Sequence, residues 1–272
     1  MKKSFLYLTI ISFTLIFVLG VYVGVHKIFP YEILNLSKDV LFEQKTIENN
    51  QFINQANVDY LIKIDSKSDI DQKRDFLTEF FWDVGSFQRV KDKAQLPKVE
   101  TNIFDSNYED FQNLKRIDRL TVEMEYGINS ISYLFIPEQS NEKLILYHQG
   151  HEGDFLLGKD TIQFFLDRNF TVLAISMPLL GMNNQPIAEI DGLGKIELNS
   201  HNQLRLLEAN NFNPMKLFLD PVQTNLNFLD KEYNFKQYSM IGLSGGGWTT
   251  VVYSAIDERI SDSFSIGGSI PF

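Results

Sequence analysis

Between residues 120 and 266 the spacing of apolar positions switches repeatedly between two and roughly 3.6, and those switches mark out the elements. Leu120, Val122, Met124 and Tyr126 alternate with polar residues. Gly127-Ile128-Asn129-Ser130 supplies turn chemistry before Ile131 to Ile136, so a β-hairpin is predicted here. Lys143 to Tyr147 is a short apolar run of the kind that suits a strand buried on both faces, and it ends in His148-Gln149-Gly150-His151-Glu152-Gly153. Asp160 or Thr161 is placed to cap a helix carrying Ile162, Phe165 and Leu166 on one face, with Asn169 ending it before a strand over Thr171 to Ser176. From Pro178 to Asn213 clean periodicity is lost, and the stretch reads as a long excursion above the sheet. Asp220 as cap and Pro221 at the first position open a helix with Val222, Leu226 and Leu229 aligned. A strand over Tyr238 to Leu243, a helix over Trp248 to Ile256 and a strand over Ile260 to Ile266 complete the series. Buried strands alternating with helices imply an α/β fold with a mostly parallel sheet, right-handed crossovers and helices on both faces.

Ahead of this region the pattern differs. Lys2 and Lys3 precede an uncharged run from Phe5 to Val25, which at about 1.5 Å per residue matches a hydrocarbon core of about 30 Å. Val21-Tyr22-Val23-Gly24-Val25-His26 offers no small-x-small cleavage site, so residues 1–26 are expected to form an uncleaved signal-anchor transmembrane helix, with a cut near Gly20 as the alternative. Two lysines before the run against Lys27 after it would place residues 27–272 outside the cytoplasm, in a single-pass protein of the cell membrane. Residues 27–115 are polar, a small mainly helical or irregular segment whose one amphipathic stretch is Asp69 to Trp82. There Phe76, Leu77, Phe80 and Phe81 recur at helical spacing, as a stripe packed on a core. Pro97 and the polar residues after it suit a loop before the main domain, residues 116–272.

Composition narrows the function classes. A net charge of -10 and a pI near 4.9, without clustered Lys and Arg, argue against a nucleic-acid partner. With no cysteine in the chain, disulfides, thiolate metal sites and a cysteine nucleophile are excluded.

The chemistry concentrates at Gly242-Leu243-Ser244-Gly245-Gly246. A nucleophilic serine needs its Oγ lifted clear of the backbone beside fixed N–H donors, and a sharp strand-to-helix turn between small neighbours provides this. Gly242 and Gly246 stand where a Cβ would collide with the adjoining elements. A phosphate-binding loop would need Lys and Ser or Thr after the glycines, where Trp248 and Thr249 stand, and the spacing does not fit a dinucleotide fingerprint. A zinc site at His148, His151 and Glu152 is disfavoured because Gly150 interrupts a strand end rather than a helix. No metal and no cofactor are implied.

On these residues the sequence resembles the α/β-hydrolase superfamily over about residues 115–272, in particular bacterial esterases whose elbow reads G-x-S-G-G-G-W. The resemblance implies Ser244 as nucleophile, Gly245 as one oxyanion-hole donor, and the segment Gln149, Gly150 and His151 as the source of the other. It implies a small-molecule acyl ester as substrate, cleaved through an acyl-enzyme, and with the expected anchor helix this would be a hydrolase of the cell envelope. It also implies an acid and then a histidine on later strands, whereas one predicted strand and no histidine follow Ser244. Asp257, Glu258 and Asp262 read as surface charge, and His201 falls where it would reach the mouth of the site without an assigned role. The expectation is an incomplete sheet that lacks its C-terminal part, prone to aggregation unless a second chain completes it, with an enzyme that is inactive or dependent on that partner. The alternative is a non-catalytic, membrane-anchored binding protein or a truncated gene product.

Overall fold

The computed structural model describes residues 2–26, 64–93 and 95–268. The chain divides into two compact units, Met1–Lys63 and Ile64–Phe272. The polar stretch 27–63 lies outside the described residues.

In the first unit, helix α1 runs Lys2–His26. Among the described residues no helix is long and apolar enough to cross a membrane, which corrects the expected transmembrane segment at Phe5 to Val25.

The second unit begins with α2, Lys67–Trp82, and α3, Phe87–Lys93. Ser66 and Asp69 start α2 through a capping box, with Ser66 Oγ accepting the Asp69 N–H and Asp69 Oδ2 accepting the Ser66 N–H. The aromatic stripe is only half a core contact. Phe81 is buried and Leu77 packs on the core, but Phe76 and Phe80 are 69% and 56% exposed. The two pairs lie about 100° apart around the helix, too far for both to face one sheet.

A seven-stranded sheet follows: β1 Lys98–Ile103, β2 Leu114–Glu123, β3 Asn129–Pro137, β4 Lys143–His148, β5 Thr171–Ile175, β8 Gln237–Leu243 and β9 Ile260–Ile266. Its order is β1-β2-β3-β5-β4-β8-β9. The pairings β1/β2, β2/β3 and β3/β5 are antiparallel, and β5/β4, β4/β8 and β8/β9 parallel, so the sheet is mixed rather than mostly parallel. The short connection between β2 and β3 allows only an antiparallel return, since a parallel one needs a crossover of a dozen or more residues. Strand β1 falls where the sequence showed only a polar segment; its residues are exposed or half-buried, which removes the apolar alternation that would announce a strand.

Period-two alternation divides the strands between two cores. Leu134, Leu144, Leu146, Leu173 and Ile175 face one side, against α2, α3, α6 (Asp220–Glu232) and α7 (Gly245–Ile256). Phe135, Ile145, Tyr147, Val172 and Ala174 face the other, against Ile162 and Leu166 of α4, Lys159–Leu166. The expectation of helices on both faces therefore holds. The excursion is a packed layer, not a loose loop. Strands β6, Ile187–Ile190, and β7, Gly194–Glu197, form a hairpin, and helix α5, His201–Leu204, follows. Leu179, Ala188, Leu198, Leu207, Leu217 and Met177 build a third apolar cluster there.

Candidate active site

The site is assembled where β8 meets α7. Ser244 has φ 53 and ψ -120 and caps α7. A non-glycine residue at positive φ with this ψ is strained by about 1–3 kcal/mol, and such strain persists only where the surroundings enforce it. They do so from three sides. The Ser244 N–H donates to the Ile266 carbonyl of β9 at 2.8 Å, and the Ser244 carbonyl accepts the Trp248 N–H at 3.1 Å as the first bond of the helix. A Cβ on Gly242 would collide with the Gly246 carbonyl and with Thr250 Oγ1, and one on Gly246 with the His148 carbonyl. Both glycines are therefore steric requirements of the turn, as their positions in the sequence suggest. The start of α7 directs the positive end of a twelve-residue helix at the serine.

The loop after β4 is pressed against the same point. A Cβ on Gly150 would lie 2.5 Å from the Leu243 carbonyl oxygen and 2.8 Å from Ser244 Cβ, so only glycine lets this backbone pass beside the serine. The Gln149 N–H donates to the Ile175 carbonyl at 2.9 Å, and its side chain accepts the Tyr147 hydroxyl, so Gln149 is committed to holding the loop. His151 comes next; a Cβ on Gly245 would lie 2.6 Å from its Cε1 and 2.5 Å from Met177 Sδ. Gly245, Gly150 and His151 are thus brought together around Ser244.

The histidines differ in environment. His148 is buried, its Nδ1–H donates to the Gln149 carbonyl at 2.9 Å, and burial pushes its pKa down to about 4, so it is a neutral structural group at neutral pH. The His201 ring centroid lies 5.1 Å from that of His151 and 5.2 Å from that of Phe218, and its Nε2–H donates to the Pro178 carbonyl at 2.6 Å. Burial is the main cause of its lowered pKa. The excursion therefore does bring His201 to the mouth of the site. Among the described residues no histidine is hydrogen-bonded to Ser244, and no group of three His, Cys, Asp or Glu is arranged to hold a metal.

One acidic residue departs from the surface-charge reading. Asp257 has a side chain 2% exposed, accepting from Tyr253 Oη at 2.7 Å and from Arg259 Nη2 at 2.6 Å. It fastens the end of α7 to the entry of β9. Glu258 and Asp262 are exposed, with Glu258 paired to Arg74 at 2.8 Å.

A cavity of about 720 Å³ adjoins Gly245 and His151. Phe80, Phe81 and Trp82 of α2, with Phe212, Phe218 and Trp248, form its aromatic lining. Sequence reasoning missed the contribution of α2 and of Met177 to this region. The one signal for α2 was an aromatic stripe wider than a single buried face needs.

A strained serine ending a buried strand and capping the next helix, on a mixed sheet covered by helices, has the form of the α/β-hydrolase nucleophile elbow. Comparison with solved structures finds an acetyl xylan esterase from a Paenibacillus species (14% identity, 75% of this chain and 60% of that one, TM-score 0.47) and acetyl xylan esterase 1 from a Thermoanaerobacterium species (20%, 66% and 56%, 0.47). An esterase from Pyrococcus furiosus is also similar (12%, 63% and 57%, 0.41). All three are esterases by name, and the chain spans 56–60% of their length. No protein-family model and no curated protein matches the chain.

Proposed function

We propose that the chain is the nucleophile-bearing part of a serine hydrolase that cleaves acyl esters through an acyl-enzyme on Ser244. The observation that carries this reading is the strained Ser244 backbone with Gly150 packed against its Cβ. Ser244 Oγ attacks the ester carbonyl carbon while its proton passes to a base. The carbonyl electron pair moves onto oxygen, where the N–H groups of Gly245 and His151 receive it. Collapse of this intermediate expels the alkoxide, which leaves as the alcohol after taking the proton. Water then attacks the acyl-enzyme in the same way, releasing the acid and restoring Ser244. Gly150 shapes the loop and Gln149 anchors it. Each oxyanion donor of this kind contributes about 3–4 kcal/mol to transition-state stabilisation.

The base and its acid come, in this reading, from a further segment or a second chain added along the open edge of β9, beside the elbow. Without them Ser244 attacks unassisted by a base, and turnover is expected about a millionfold below that of a complete triad. The rival is a non-catalytic binding protein of the same fold, favoured by the lack of a histidine bonded to Ser244 among the described residues.

Hydrolysis of the activated ester p-nitrophenyl acetate by the full chain separates the two. The hydrolase reading expects slow release of p-nitrophenol that Ser244→Ala reduces to the buffer rate. Equal rates for the two proteins would decide for the binding protein.

A further inference from the structure

The cleft beside Gly245 and His151 has a wall that the catalytic elements do not supply. We propose, resting on the hydrolase reading above, that this cleft seats a bulky apolar group of the substrate. The substrate class is then esters carrying an aromatic-sized group, and Phe80 is the side chain that selects for them.

Size is the first support. A volume of about 720 Å³ lies within the range of roughly 300–1,000 Å³ usual for small-molecule sites and far exceeds what an acetyl group fills. Lining is the second. Six aromatic side chains contribute, whereas the charged lining groups are mixed in sign, with Arg205 and Lys216 set against Glu79, Asp83 and Glu208. Lys216 is moreover tied to Glu125 at 2.5 Å, so the cleft has no surplus of positive charge for an anionic group. Phe80 supplies the third support. It is 56% exposed on the last turn of α2, lines the cleft, and is not part of the packed core.

The wall is also held in place before any ligand arrives. Asn213 Nδ2 donates to the Phe80 carbonyl at 2.8 Å, and Trp82 Nε1 donates to Asp220 Oδ1 at 2.6 Å. The first ties the end of α2 to the cleft-lining segment at Asn213 and the second ties it to α6, so the backbone of this wall is held before binding.

The chain has two tryptophans, Trp82 and Trp248, and both line the cleft, so intrinsic fluorescence reports on it directly. The full chain is titrated with benzylacetone, a non-hydrolysable ketone with the outline of a phenyl-bearing ester, and with butanone as the small counterpart. The proposal expects a saturable fluorescence change with benzylacetone alone. Phe80→Ala is expected to weaken it about five- to tenfold, as loss of one aromatic contact does. Phe76→Ala, exposed on the same helix but away from the cleft, is expected to leave it unchanged. Equal responses to the two ketones, no saturable response, or equal affinity in Phe80→Ala overturns the proposal.

Labelling with a fluorophosphonate, read by mass at Ser244, keeps the two failures apart. Labelled protein without ketone preference sinks the cleft assignment alone. Preserved ketone binding without labelling sinks the hydrolase reading and leaves an apolar binding site.

Discussion

Ser244 shows how much of a site can be read from residue types and where such reading stops. Its role as a turn residue follows from Gly242 and Gly246, because the sequence already demands small neighbours, and the structure shows the backbone atoms a Cβ would strike. Gly150 is a different case. Its sequence context announces a loop after a strand, but contact with Ser244 Cβ depends on β4 and β8 being neighbours, with His148 opposite Gly242. That register is a long-range fact absent from the local pattern. Gly150→Ala is therefore expected to act as a site mutation more than a fold mutation. Displacing the loop costs about 1–3 kcal/mol, as overpacking does, and in the proposed mechanism this takes the His151 N–H out of reach of the oxyanion. Loss of p-nitrophenyl acetate hydrolysis with a modest fall in melting temperature is the expected pair of results. Retained hydrolysis would show that the loop does not serve the serine. Asp257 marks the opposite limit: three nearby charges look alike in sequence, and only the packing of Tyr253 and Arg259 around one of them makes it a buried anchor.

Elements whose apolar faces are fully used were legible, because burial on a regular period leaves a regular trace. Val222, Leu226 and Leu229 of α6 are all fully buried, and β4 and β5 are buried almost throughout. The β6/β7 hairpin and β1 were not legible: β6 alternates but over four residues only, and β7 and β1 are exposed or half-buried throughout. The join between α2 and α6 was not legible either, because Trp82 and Asp220 are distant in sequence. Their hydrogen bond gives a pH test. Burial raises the Asp220 pKa to about 6 from 3.8, against the opposing pull of the Trp82 N–H and Lys216. The folded state then holds a proton that the unfolded state has lost, so this group's stabilisation is complete below pH 4 and disappears as pH rises through 6. His148, depressed to about 4 from 6.5, acts in the reverse sense: the unfolded state holds the extra proton, and stability rises with pH over nearly the same window. The two slopes largely cancel in the native chain. Asp220→Asn removes one of them, so urea denaturation of this variant is expected to show stability climbing between pH 4 and 6.5. Relative to the native chain, the swing should be about 2 kcal/mol, since one pKa unit corresponds to about 1.4 kcal/mol and the carboxyl is partly solvated. Parallel stability profiles for the two proteins would mean that Asp220 is ionised throughout.

At the scale of the whole molecule, strand order is the least legible property, because it is decided by which edges meet after the elements have formed. Chain order would set β4 beside β3, yet β5 lies between them and β4 pairs with β8. The same order leaves β9 at an edge, with residues 261–266 exposed along it, including Phe264 at 59% and Ile266 at 50%. An exposed strand edge carrying large apolar side chains is a template for pairing with another chain. Association through that edge competes with a second source, since α1 exposes Phe13 and Phe17 among the described residues. Lysine on a strand edge opposes further pairing, and lysine on an apolar helix face opposes helix association, so Phe264→Lys and Phe17→Lys separate the two. If the β9 edge is where a further strand is received, Phe264→Lys reduces the large species seen by light scattering, and it does so also in the Phe17→Lys background. A reduction by Phe17→Lys alone would place association in the first unit and leave the β9 edge without a partner to complete Ser244. Because the Ser244 N–H is bonded to Ile266 on this strand, a chain that pairs with β9 would lie near the elbow, where the proposed hydrolase mechanism calls for a base.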